Sequence, residues 1–145
     1  MGDRISIQFE IASEGQNTGK ERSVTLFSHW GGETMPRYVR QFDAEVLKKC
    51  KGDSYPLDRM EPNTVMVAFI AWLFRGPEND EVPTHDYYLG KDRSDGDNSD
   101  NGNYVYACVP DKGIIAVTIE TEDWATHVWT ARDAPDVLKE HKEER

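Results

Sequence analysis

Long apolar runs are missing from this chain. The longest, Val65 to Phe74, is ten residues, about half of what a bilayer-spanning helix requires. The first residues show no apolar core of a secretory signal, so a cytoplasmic location and no membrane partner are expected. Met1-Gly2-Asp3-Arg4-Ile5-Ser6 fits a loose acylation pattern. Strand-like alternation already begins at Arg4, so lipidation is not expected. Cysteine is scarce: Cys50 and Cys108 are the only two. Two cysteines make a poor disulfide framework for 145 residues, and both sit in apolar patterns, so both read as buried free thiols. Basic residues are outnumbered, 17 against 27 acidic, for a net charge of −10. That balance argues against nucleic acid as a partner, because phosphate contacts need many Lys and Arg. His29, His85, His127 and His141 are widely separated, and neither Cys-x-x-Cys nor His-Glu-x-x-His occurs, so no metal and no cofactor are expected.

What is present is ample material for one domain. Four Trp, five Phe and six Tyr supply large packing groups, and the length is enough to bury a core without staples. The negative charge is concentrated. Between Glu78 and Asn103, eight acidic residues face only Lys91 and Arg93, which gives −6 of the −10.

Hydrophobic periodicity orders the chain. Ile5, Ile7, Phe9 and Ile11 alternate with Arg4, Ser6, Gln8 and Glu10, which predicts a half-buried strand over Arg4 to Ala12. Arg22 to Ser28 reads as its antiparallel partner. A turn, His29-Trp30-Gly31-Gly32-Glu33, then leads into a helix, with Thr34 as its cap and Pro36 in its first turn. Val39, Phe42, Val46, Leu47 and Cys50 form the helix's buried stripe up to about Lys51. A second helix runs from Pro62 to Arg75 and stops at Gly76. It is apolar all round between Val65 and Phe74. It must therefore be covered by the sheet and the first helix, or also by a partner subunit, which leaves a homodimer open.

Tyr87-Tyr88-Leu89 reads as a short strand. Residues 91–103 read as a mobile acidic loop, too poor in apolar groups to pack. Asp97 to Gly102 has the opening of a calcium loop, but the twelfth position is Cys108 rather than Glu. Asn103 to Val109 and Gly113 to Glu120 form a hairpin about Pro110-Asp111-Lys112-Gly113. A last strand is expected over Trp124 to Thr130, and residues 133–145 read as a charged terminal helix or tail. The fold class is α+β, a single domain over residues 1–145. Its mostly antiparallel sheet carries helices on one face, in the order ββααβββ(β)α.

The sequence resembles a family of small microbial and phage proteins. They open Met-Gly-Asp-Arg and carry an aromatic-x-His-Trp-(Gly/Asp/Ala)-Gly segment. Met1 to Arg4, Phe27 to Gly32, the apolar helix and the late hairpin carry the resemblance. The run around Tyr87 to Gly90 departs from the family pattern. The resemblance implies a phage or prophage association and no particular chemistry.

His29 ends a strand where a Gly-Gly turn begins, and a histidine there can act as a general base near neutral pH. Asp3 and Glu33 are candidates to orient it. The structural reading is that His29 bonds to backbone and Trp30 plugs the core, while Gly31 and Gly32 supply unusual backbone angles. No base–nucleophile pair stands out. The expected function is a non-catalytic binding or interaction module for a protein or small molecule, with Arg4, His29, Trp30, Gly31 and Gly32 on its contact surface. The alternative is a small hydrolase or nucleic-acid-processing enzyme using His29 with a carboxylate.

Overall fold

The computed structural model describes residues 3–11, 21–49, 61–76, 84–96, 101–109, 112–120 and 126–130. The elements are β1 (Ile5–Ile11), β2 (Thr25–Ser28), α1 (Thr34–Glu45), α2 (Pro62–Phe74), β3 (Tyr87–Gly90), β4 (Asn103–Val109), β5 (Gly113–Glu120) and β6 (Thr126–Thr130). Through β6 the elements follow the expected order ββααβββ(β), with the optional strand present as β6. The terminal helix over 133–145 and Cys50 lie outside the described residues.

The strands form one sheet in the order β3-β2-β1-β4-β5-β6. Every pairing is antiparallel except the central one, β1 with β4, which is parallel and sets Ile7 beside Tyr104 and Phe9 beside Tyr106. Both helices cover one face. Ile5, Ile7 and Phe9 of β1 and Tyr104, Tyr106 and Cys108 of β4 pack under Val39 and Phe42 of α1 and Phe69 and Leu73 of α2. Three phenylalanines meet at the crossing of these elements. Ring centroids are 6.1 Å apart for Phe9–Phe42, 5.7 Å for Phe9–Phe69 and 5.2 Å for Phe42–Phe69, the last two edge to face. That geometry favours aromatic quadrupoles beyond the area they bury.

Three expectations are corrected. First, β1 is not half-buried: Ser6, Gln8 and Glu10 are as buried as the apolar residues between them. The polar side is tolerated because it is cross-linked. Ser6 Oγ donates to Asn103 Oδ1 at 2.7 Å, Asn103 Nδ2 donates to Gln8 Oε1 at 2.9 Å and to Glu120 Oε1 at 3.1 Å, and Gln8 Nε2 donates to the Ser23 carbonyl at 3.0 Å. Arg22 reaches Glu120 at 3.1 Å and Glu10 at 3.5 Å. Buried polar groups with partners avoid the desolvation cost that unpaired ones carry.

Second, Thr34 does not cap α1. It is the first helical residue, and Glu33 occupies the cap position without a side-chain bond. The α-helix also ends earlier than its apolar pattern, at Glu45, and continues as a 3-10 turn over Leu47–Lys49. Third, the acidic tract is packed at two points, although Lys91, Asp92, Ser94 and Asp95 are exposed. Gly96 lies against Phe27 and the Tyr88 hydroxyl, and Asn103 is fully buried. Residues 97–100 lie outside the described residues.

α2 is covered on one side only. Val65, Met66, Phe69, Trp72 and Leu73 are buried, while Val67 is 66% exposed and Phe74 37%. The Trp72 indole N–H donates to Glu45 Oε1 at 2.9 Å, which ties the two helices at their rim.

The end of α1 is clamped to the β4–β5 turn. Asp43 is buried and accepts from the Ile114 N–H at 2.9 Å, while Lys48 Nζ lies 2.9 Å from its other oxygen. Gly113, at φ +81°, adopts a backbone that side chains avoid, and a Cβ there would run into Asp43.

Phe69→Ala is expected to cost about 3–5 kcal/mol, the price of emptying a fully buried aromatic site, read by denaturant unfolding. A loss below about 1 kcal/mol would show that the three-ring contact does not organise the core.

Asp43 gives a signed pH prediction. Burial raises its pKa above the ordinary 3.8, against the opposing pull of Ile114 N–H and Lys48. The native state therefore holds this proton more tightly than the unfolded chain. Asp43 costs stability above its raised pKa, and that cost is relieved as pH falls toward 3.8. Asp43→Asn keeps an acceptor for Ile114 and removes the titration. The variant should lose stability more steeply than the parent on acidification through that window. Parallel stability–pH curves would rule out this role.

Candidate functional site

The His29–Gly32 turn is assembled from four separate parts of the chain. His29 N–H donates to the Asp86 carbonyl at 3.0 Å, and the His29 carbonyl accepts from Asp3 N–H at 3.1 Å. Gly32 N–H returns to the Asp3 carbonyl at 3.0 Å, and Met35 N–H donates to the Gly31 carbonyl at 2.8 Å, which opens α1. Asn101 Nδ2 then bridges Asp3 Oδ1 at 2.9 Å and the Arg4 carbonyl at 2.7 Å. Beneath the turn, Ser28 Oγ donates to Asp86 Oδ2 at 2.8 Å. The start of β1, the turn from the end of β2 into α1, and the residues just before β3 and β4 thus share one hydrogen-bonded node.

The glycines serve close approach rather than unusual angles. The positive-φ glycines among the described residues are Gly76, Gly102 and Gly113. A Cβ at Gly32 would run into the Asp3 carboxylate and Asn101 Nδ2, and one at Gly31 would meet Ser28 Oγ.

Trp30 does not plug the core. It is 64% exposed, on a turn whose backbone is fixed on both sides. The reason is alternation: Ser28 points to the helix-covered face, His29 to the opposite face, and Trp30 follows where the chain leaves the sheet. His29 is half-buried, with its ring 5.3 Å from that of Tyr88, which stacks in turn on Phe27 at 4.7 Å. Arg4 is half-buried and Glu33 is exposed.

The structure brings Asp3 and His29 together through main chain, not through their side chains. The Asp3 carboxylate is turned to Gly32 and Asn101, and among the described residues no hydrogen bond joins the His29 ring to Asp3 or Glu33. His85 is exposed in the 3-10 turn before β3. No three of His, Cys, Asp and Glu among the described residues converge as a metal site. In comparisons with protein-family models, curated proteins and solved structures, nothing matches this chain.

Sequence reasoning missed Asp86, Asn101 and Tyr88. Asn101-Gly102 read as a turn, and Gly102 does hold φ +94°, but nothing local signals that Asn101 caps residues 98 positions away. Asp86 is buried, and its Oδ1 has no hydrogen-bond partner among the described residues. Burial, Asp86 and Tyr38 together push the Tyr87 hydroxyl far above its ordinary range.

A cavity of about 370 Å³ lies at the opposite end of β2, lined by Glu21, Arg22, Glu61, Pro62 and Asn63. Among the described lining residues the basic group is Arg22, which is already held by Glu120 and Glu10, and the cavity is remote from the His29 turn. Among the described residues no helix is long and apolar enough to cross a membrane.

Two substitutions separate the roles within the turn. Trp30→Ala should leave stability within about 0.5 kcal/mol, as for a surface residue. Gly32→Ala should cost about 1–3 kcal/mol by forcing Asp3 and Asn101 apart. Thermal melts of both variants check this, and equal losses would mean that Trp30 packs as part of the node.

Proposed function

We propose that this chain is a non-catalytic binding module that uses the His29–Gly32 turn to contact a protein partner. The observation that carries this reading is Trp30, largely exposed on a turn whose backbone is pinned by Asp3, Asp86 and Asn101. Holding a large aromatic outward in one geometry removes ordering cost at binding, and exposed Trp anchors dominate many interfaces. Half-buried His29 precedes it in the turn, with its ring 5.3 Å from that of Tyr88. A protein surface suits Trp30 better than a small molecule does, because small ligands are bound by enclosing clefts, and the cavity at the far end of β2 does not include the turn.

The net charge of −10 favours a basic partner and disfavours nucleic acid. The resemblance to microbial and phage proteins makes a phage-associated, cytoplasmic setting the working context. A hydrolase using His29 lacks support from the geometry, since the Asp3 carboxylate is engaged elsewhere.

The test compares wild-type and Trp30→Ala protein as baits against cell extract, with bound components quantified by mass spectrometry. A component retained by wild type and reduced about tenfold or more by Trp30→Ala, equivalent to about 1.4 kcal/mol, supports the reading. Identical capture by two equally folded baits overturns it.

A further inference from the structure

The Trp30 turn is fastened to the most acidic part of the chain. His29 N–H donates to the Asp86 carbonyl at 3.0 Å, and Asp3, which bonds the same turn, accepts from Asn101 Nδ2 at 2.9 Å. Asp86 and Asn101 both belong to the Glu78–Asn103 tract, where eight acidic residues face Lys91 and Arg93 and give −6 of the net −10. Two points of that tract are therefore bonded to the turn that displays Trp30.

Two carboxylates belong to the turn itself. Asp3 lies against Gly32, two residues after Trp30, and Asn101 is the side-chain donor it has among the described residues. Glu33, three residues after Trp30, is exposed and makes no capping bond to α1. Arg37, one helical turn further on, lies over the Tyr38 ring at 5.6 Å, and among the described residues no ion pair joins it to Glu33. Both carboxylates thus keep acceptor capacity. The indole face attracts a cation through its quadrupole, and carboxylates accept most strongly from charged N–H donors. A guanidinium meets both demands, because it is planar enough to stack and donates in a fork. An apolar group would instead cover the carboxylates without supplying donors, and a phosphate would be repelled by them.

We propose that the group received by Trp30 is an arginine side chain of the protein partner, its guanidinium stacked on the indole and its N–H groups directed to the carboxylates of Asp3 and Glu33. This rests on the reading of the turn as a contact surface, and it assigns the chemistry of what the turn contacts. The pinned backbone matters here as well. A stacked, forked contact needs ring and carboxylates in one fixed arrangement, which the bonds from Asp86 and Asn101 supply.

The test titrates end-capped tetra-arginine, its neutral isostere tetra-citrulline, and tetra-glutamate into the isotope-labelled full chain, each to about 5 mM. The indole N–H signals of the four Trp are followed by NMR, and that of Trp30 is the one lost in Trp30→Ala. Tetra-arginine should shift the Trp30 signal with a Kd of about 0.1–5 mM, weakened at least about threefold by about 0.5 M salt. Tetra-citrulline and tetra-glutamate should leave it in place. Trp30→Leu keeps an apolar surface and loses the quadrupole. Read on the backbone amides of Gly31 to Glu33, it should bind tetra-arginine at least about threefold more weakly. Glu33→Gln should weaken binding at least about twofold. Trp30 and Glu33 are exposed, so both variants should keep the wild-type melting curve. A Trp30 signal unmoved by about 5 mM tetra-arginine overturns the proposal, as does equal binding of tetra-citrulline or undiminished binding by Trp30→Leu. If a captured component still depends on Trp30 in that event, the contact surface stands and its arginine partner falls.

Discussion

Phe9, Phe42 and Phe69 close a triangle of rings at the point where β1, α1 and α2 meet. The contact joins residues far apart in sequence, and it sets β1 at the bottom of the core. A strand in that position, paired on both sides and buried on both faces, leaves no polar atom free to reach water. The Ser6–Asn103–Gln8 and Arg22–Glu120–Glu10 links follow from this placement. Their register needs Asn103 beside Ser6, which the parallel pairing of β1 with β4 provides. The packing on one face and the hydrogen bonds on the other therefore enforce the same alignment.

That alignment also builds the turn. Asp3 and Arg4 enter β1 immediately before the locked register begins, and Asn101 leaves toward β4 from the neighbouring position. Two residues nearly a hundred positions apart are thereby brought within hydrogen-bond distance, and the His29–Gly32 backbone is held between them. The rigidity offered to Trp30 derives from the core, not from the turn's own sequence. A loop with this composition and no such anchor would sample many conformations.

The periodic parts of this architecture were legible in the sequence. Ile5-Ile7-Phe9 and Val39-Phe42-Val46 announce their elements because period 2 and period 3.6 are properties of local geometry. The buried side of β1 was not legible. Ser6, Gln8 and Glu10 look like a solvated face until their partners on β4 and β5 are known. Trp30 was misjudged for a related reason. A large aromatic beside a strand is usually core, and only the direction of the chain leaving β2 turns it outward. Gly31 and Gly32 read from the sequence as suppliers of unusual backbone angles; neither has a positive φ, and what constrains them is the proximity of Ser28, Asp3 and Asn101, which no local pattern encodes.

The Trp30 turn and the start of β3 share one foundation. Ser28 pairs with Tyr87 across β2 and β3, and its hydroxyl donates to Asp86, the residue before Tyr87. A change at Ser28 or Asp86 therefore acts on the turn, through the His29 N–H to Asp86 carbonyl bond, and on the β2–β3 ladder together. Among the described residues the other Asp86 oxygen, Oδ1, has no hydrogen-bond partner, so the Ser28 hydroxyl is the side chain among them that holds this buried carboxylate.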